Sequence, residues 1–366
     1  MSTYRVLVIG GYGFFGSRLS TLLSRQPNLH ILVAGRSRTQ AQALVDKLAP
    51  GAASGLEATA LDIASPSLAA ALRALQANAV IHTAGPFQGQ DYGVAAACIA
   101  AQAHYIDLAD GRDFVAGIAA LNDDAARAGV LVTSGASSVP ALSCAAADAL
   151  AQGMPRVTSI DIGISPGNRT DRGLSTVQAI LGYCGKPLPG GAIGWRGTRS
   201  HDYPAPVGRR LLSACDVPDL VLLGPRFAGT PAVRFGAGLE LHVLHWGMNV
   251  MALLAQRGLV RNWAAHAPLL KRIADWFRHL GSDAGAMHVR VTGTGTDGSA
   301  HTRSWSLVAR DGDGPFVPTL AAAALVRRLA AGETFAPGAR PCLGLLSLQD
   351  FEREAAGLAI TMKAEA

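Results

Sequence analysis

The run Gly10-Gly11-Tyr12-Gly13-Phe14-Phe15-Gly16, directly after the apolar residues 6–9, restricts this chain more than any other feature. Four consecutive apolar residues (Val, Leu, Val, Ile) fit a strand buried on both faces. The chain must then turn, and Leu19, Leu22 and Leu23 follow at helical spacing. Gly11 permits a tight turn, Gly13 lets a pyrophosphate reach the backbone, and Gly16 lets helix and strand pack closely. The start of the helix offers unpaired N–H groups and positive partial charge to an anion. Gly11, Tyr12, Gly13, Phe14, Phe15 and Gly16 are therefore expected to hold a dinucleotide.

The same alternation continues. Strands are expected at 31–34, 59–62, 80–83, 105–108 and 130–133, with helical stretches between them. Ser37 and Gln40 fit a capping box that opens a helix running to about 48. Ser65-Pro66 fits an N-cap followed by proline at the first helical position. Strand and helix in repeated succession imply a Rossmann-type, doubly wound parallel sheet, an α/β fold. Beyond about 155 the pattern changes. A longer strand at 157–165 precedes a glycine- and proline-rich stretch at 187–238. Helices are expected at 239–258 and 263–280. Segments 287–294 and 302–310 flank Gly295-Thr296-Asp297-Gly298-Ser299 as a hairpin. This reads as a second, α+β domain.

Composition excludes several classes. Of 366 residues, 49% are hydrophobic and 16% charged, too apolar for a disordered chain. The most apolar helical stretch, 239–260, carries Glu240, His242, His245, Asn249, Gln256 and Arg257, so no membrane span is expected. The first residues lack a signal-peptide pattern, and the expected location is the cytoplasm. Five cysteines without a Cys-x-x-Cys pair argue against a disulfide framework. His242 and His245 lack a third metal ligand in the pattern, so no metal is expected. The net charge of +6 comes without a basic run, which favours an anionic cofactor over nucleic acid. No tyrosine has lysine four residues on, which removes the short-chain dehydrogenase mechanism, and no Gly-x-Ser-x-Gly elbow supports a hydrolase.

The second strand runs into Gly35-Arg36-Ser37-Arg38. An NAD site usually places an acid here for the ribose 2′-hydroxyl, whereas arginine suits a 2′-phosphate. No acid follows until Asp46. The expected cofactor is NADP, contacted by Arg36, Ser37 and Arg38. The alternative is two solvated arginines and a serine that only caps a helix.

With these motifs the chain resembles the saccharopine dehydrogenase-like family. The resemblance rests on the glycine run, on Ala34-Gly35-Arg36 and on Thr83-Ala84-Gly85-Pro86-Phe87. It continues in His104-Tyr105-Ile106-Asp107-Leu108-Ala109-Asp110, Gly135-Ala136-Ser137-Ser138-Val139-Pro140 and Gly312-Asp313-Gly314-Pro315-Phe316-Val317-Pro318. It implies an NADP-binding domain over 1–150, an inserted α+β domain for substrate and dimer contacts over 151–315, and a segment over 316–366 returning to the first domain. A homodimer is the expected assembly.

In open α/β sheets ligands bind beyond the carboxyl ends of the strands. The nicotinamide half is therefore expected near Ala84, Gly85, Pro86 and Phe87, with Asp62 at the end of the third strand among the cofactor contacts. Asp107, Asp110 and Arg112 could orient substrate or move a proton, or simply cap turns. Asp110 or His104 is the expected proton carrier, and Arg169 the expected holder of a substrate anion. Two function classes stay open. One is an NADP(H)-dependent oxidoreductase acting on a small carbonyl or imine. The other is a non-catalytic NADP(H)-binding protein that senses redox state or regulates a partner.

Overall fold

A computed structural model describes residues 3–365. Its first strands are β1 (Tyr4–Ile9), β2 (Leu29–Gly35), β3 (Gly55–Ala60), β4 (Ala79–His82), β5 (His104–Asp107) and β6 (Leu131–Ser134). Then come β7 (Arg156–Ser165), β8 (Arg199–Tyr203), β9 (Gly208–Ala214), β10 (Ala232–Ala237), β11 (Gly285–Thr294), β12 (Ala300–Ala309), β13 (Gly338–Pro341) and β14 (Ile360–Glu365). The chain divides into two compact units, Met1–Leu142 with Phe316–Glu354 and Ser143–Pro315 with Ala355–Ala366.

In the first unit the strand order is β13-β6-β5-β4-β1-β2-β3, and every neighbouring pair is parallel. The order of the strands reverses direction between β1 and β4, which opens a crevice at their carboxyl ends. Val6, Leu7, Val8 and Ile9 are all buried, as strands covered on both faces require. The alanine-rich helix Val317–Ala330 packs beside the helix Phe14–Leu23, and Ala321 to Ala324 are fully buried there. Small side chains let those two helices approach closely. β3 lies at 55–60 rather than 59–62. It is an edge strand with exposed positions and no apolar run to mark it. The following helix starts at Leu68, later than Pro66, because the Ser65 hydroxyl accepts the Ser67 N–H and holds a turn first.

The second unit carries the mixed sheet β14-β12-β11-β7-β10-β9-β8. β7 runs antiparallel to β11 and parallel to β10, and β11 pairs with β12 in a long hairpin. Helices Leu174–Gly182, His242–Gln256 and Ala267–Trp276 belong to this unit. The stretch expected as one helix over 263–280 is broken. A short turn at Trp263–His266, capped by the Asn262 side chain, precedes the helix proper.

The unit boundaries differ from those expected. The first changeover falls between Leu142 and Ser143, not at 150. Residues from Ala355 on belong to the second unit, where β14 pairs with β12, so only part of 316–366 joins the first.

Candidate functional site

β1 ends at Ile9 and the helix Phe14–Leu23 begins after the glycine turn. Gly10 has φ +74°, a conformation glycine adopts without penalty. Elsewhere in the turn the constraint is space. A Cβ on Gly16 would sit 2.0 Å from the Gly10 carbonyl oxygen, one on Gly11 2.8 Å from that of Val8, and one on Gly13 2.9 Å from that of Gly10. The Gly11 N–H donates to the Ala34 carbonyl (2.9 Å), which ties the turn to β2. Gly13 caps the helix without a side chain, and no acid lies in its first turn. The helix start is thus shaped and polarised for an anion.

Tyr12 links this turn to the next. Its ring covers Gly35, where a Cβ would come 2.4 Å from Tyr12 Cε1. Its hydroxyl accepts the Ser37 N–H at 3.0 Å. Ser37 in turn caps the helix Arg38–Leu48 by accepting the Gln40 N–H at 3.3 Å. Arg36 and Arg38 flank Ser37 and are exposed. Phe14 and Phe15 meet edge to face at 4.9 Å, and the Arg18 guanidinium lies 4.1 Å above the Phe14 ring. Asp62 is exposed beyond the end of β3, and its carboxylate accepts the Ala64 N–H (3.0 Å), so it caps a turn.

The loop after β4 closes the other side of the crevice. The Thr83 hydroxyl donates to the Ile9 carbonyl at 2.8 Å. Gln90 Nε2 donates to the carbonyls of Ala84 (3.0 Å) and Pro86 (2.7 Å) and pins the loop. Ala84 and Gly85 are half-buried and Pro86 is exposed. Phe87 is buried between His82 (5.0 Å) and Phe114 (5.3 Å). His82 is buried too, with Nδ1 3.2 Å from the Tyr105 hydroxyl. Burial pushes its imidazole down to about 4, partly opposed by the Ala84 backbone.

At the carboxyl end of β5, Asp107 is fully buried. Its Oδ1 accepts the Ala109 N–H (2.9 Å), the Gly135 N–H (2.8 Å) and the Ser134 hydroxyl (2.9 Å). It therefore joins the ends of β5 and β6, which is the turn-capping role. Burial raises its pKa to about 6 against the lowering effect of these donors. Asp110 is half-buried and accepts from Gln88 Nε2 at 3.1 Å, which ties it to the loop after β4. Arg112 pairs with Asp113 at 2.7 Å.

His104 is not in this group. It is the first residue of β5, three positions before Asp107 and so roughly 10 Å along the strand from the carboxyl edge. Its Nδ1 accepts the Leu131 N–H at 2.9 Å. The short sequence distance from His104 to Asp110 hides a full strand length. Arg169 belongs to the second unit. It is exposed, its N–H donates to the Ser282 carbonyl (2.9 Å) and its guanidinium reaches the His279 carbonyl (3.4 Å).

The motif reading passed over the Tyr12–Ser37 bond, the Thr83 stitch and the His82–Tyr105 pair. The only trace of the first in the sequence is an aromatic residue within one glycine turn and a glycine at the end of the next strand.

Residues 6–133 match the family model described as the saccharopine dehydrogenase NADP binding domain. The resemblance read from the motifs is thus carried by the first unit. No curated protein matches the chain. Among solved structures, the chain is similar to an L-Glu-forming saccharopine dehydrogenase from Saccharomyces cerevisiae, at 14% identity and TM-score 0.65, covering 99% of this chain and 100% of that one. It is also similar to a homospermidine synthase from Legionella pneumophila solved with NAD, at 9% identity and TM-score 0.64 over 99% and 91% of the two chains. An amine dehydrogenase from Mycobacterium smegmatis gives 12% identity and TM-score 0.50 over 93% and 95%. At these identities the likeness is one of fold.

Proposed function

We propose that this chain is an NADP(H)-dependent oxidoreductase acting on a small carbonyl- or imine-class substrate. The observation that carries this reading is the turn at Gly11, Gly13 and Gly16. Each position lacks room for a Cβ, and the turn opens a helix where the strand order reverses. The family match over 6–133 and the fold shared with dehydrogenases support it. In this reading the turn from Gly11 to Gly16 holds the pyrophosphate. Arg36 offers a planar fork of donors to the 2′-phosphate, and Arg38 adds charge. Ala84, Gly85, Pro86 and Phe87 border the nicotinamide side, and Asp62 borders the cofactor at the edge of β3. When bound, NADPH supplies the hydride. Asp110 is the residue we assign to hold the proton, and the exposed guanidinium of Arg169 is the one we assign to a substrate anion.

Fluorescence titration tests the cofactor assignment. NADPH should bind more tightly than NADH. Arg36→Ala should weaken NADPH by about 1.5–3 kcal/mol, roughly tenfold to over a hundredfold, and leave NADH nearly unchanged. Equal affinity of the unmodified protein for both cofactors would sink the NADP assignment. Oxidation of NADPH across a panel of carbonyl and imino compounds tests the activity, with Asp110→Asn lowering turnover but not binding. Tight NADPH binding without turnover of any compound would favour the sensing or regulatory reading.

A further inference from the structure

Every exposed large hydrophobic side chain among the described residues lies between 174 and 280, on helices of the second unit or the bends that follow them. The helix His242–Gln256 contains no Asp, Glu, Lys or Arg and is inside out. Its buried stripe holds His245 and Asn249, both bonded to the Ser213 hydroxyl (2.9 and 3.2 Å). Its outer stripe holds Val243, Trp246 and Val250, each more than half exposed. Positions 243, 246 and 250 fall on one face of a helix. Leu259, Leu269 and Trp276 continue the exposure through the neighbouring segments, and the Trp263 indole N–H, bonded to the Met251 carbonyl (2.9 Å), joins those segments to this helix. Six exposed large apolar side chains within 243–276 are more than the single scattered hydrophobics of an ordinary surface.

From 241 to 274 the charge has one sign. No Asp or Glu occurs from 241 to 274, whereas Arg257, Arg261, Lys271 and Arg272 do. Lys271 pairs with Asp275 (2.8 Å). Arg257, Arg261 and Arg272 are exposed, and none forms an ion pair among the described residues. We infer that this face docks on the surface of an anionic lipid bilayer. Its apolar side chains and two tryptophans enter the interfacial zone and its arginines meet the headgroups. A two-fold contact with a second copy would bring this basic face against itself, and neither copy would supply acidic counter-charge from 241–274. Anionic headgroups supply the missing counter-charge. This is attachment along a surface, and among the described residues no helix is long and apolar enough to cross a membrane.

Co-sedimentation of the full chain with vesicles tests the inference, using phosphatidylcholine alone and phosphatidylcholine with phosphatidylglycerol in a two-to-one ratio. The anionic vesicles should bind at least about tenfold more tightly. Tryptophan emission should shift to the blue on binding, and salt at about 0.5 M should release the protein. The double variant Trp246→Glu, Trp276→Glu should lose binding to both vesicles. Arg257→Glu with Arg261→Glu should remove the preference for anionic lipid. All four side chains are exposed, and an unchanged thermal midpoint checks that the fold persists. Absence of binding to the anionic vesicles, or binding unaffected by either pair of substitutions, overturns the inference. So does a concentration-dependent dimer that Trp246→Glu dissociates without any vesicle binding, an outcome that assigns the face to a second copy.

Discussion

Each unit contains a carboxylate that gathers the donors of neighbouring loops, and the two carboxyl pKa values end on opposite sides of the ordinary range. In the first unit Asp107 takes two backbone N–H groups and a hydroxyl. In the second, Glu240 takes the N–H groups of Asn168 (2.7 Å) and Ser282 (2.9 Å), the Ser282 hydroxyl (2.8 Å) and Arg210 Nη2 (3.1 Å). Burial is the largest influence on both and raises both. For Asp107 it prevails, and the pKa rises to about 6. For Glu240 the Ser282 and Asn168 donors together with the Arg210 charge outweigh it, and the carboxyl sits below its usual range. Neutral donors alone do not offset complete burial. At Glu240 additional donors and a cation tip the balance. Glu240 therefore stays ionised to lower pH than an ordinary glutamate and clamps the loop carrying Arg169, whereas Asp107 is a cap poised near neutrality.

That contrast can be broken most severely at Glu240. Glu240→Ala leaves Arg210 buried without its carboxylate, and losing one partner of a buried pair costs about 3–5 kcal/mol. Chemical denaturation should show a loss of that size, and a loss below about 1 kcal/mol would show that the clamp is dispensable. Asp107→Ala should cost less, about 1–3 kcal/mol, because it orphans neutral donors only. Asp107→Asn keeps an acceptor at Oδ1 and should be milder than the alanine variant when both are melted side by side. The smallest effect is a slope. The folded pKa of Asp107 is raised, so its contribution is complete below about pH 4 and is lost as the pH rises to about 6. The folded pKa of Glu240 is depressed, so its contribution is complete above the ordinary carboxylate range and is lost as the pH falls below it. Neither exceeds about 1.4 kcal/mol per pH unit. The difference between the unmodified protein and Asp107→Asn isolates the first slope. It also cancels the background of His82, whose neutral buried form loses stability as the pH falls from about 6.5 to about 4. A difference that does not vary between pH 4 and 6 would contradict the assignment to Asp107.

The central strands of the first unit were legible because burial on both faces writes itself as an apolar run, and β1, β2 and β4 sit where those runs are. The Ser37 cap was legible because its partner is three residues away. β13 and β14 were not. Gly338 pairs with Leu131 and Met362 with Leu307, so a distant partner rather than a local pattern makes these segments strands. The candidate site divides the same way. The glycine turn and Arg36 could be read from neighbouring residues. The placement of His104 at the wrong end of β5, and the clamp at Glu240, could not.

The glycine turn was dictated by its own residues, because the spacing of Gly11, Gly13 and Gly16 is a requirement of local sterics that holds wherever a strand turns into a helix. Which way the buried groups ionise came from packing. Asp107 and Glu240 are both carboxylates beside loop N–H groups, and nothing adjacent to either in the chain distinguishes them. Arg210, thirty positions before Glu240, reaches it only because β9 and the start of the helix His242–Gln256 are brought together. The same assembly turned that helix so that His245 and Asn249 face inward, to the Ser213 hydroxyl, and Trp246 faces out. Coulomb energy and burial depend on distance in space, and the order of residues along the chain does not contain that distance until the strands have paired.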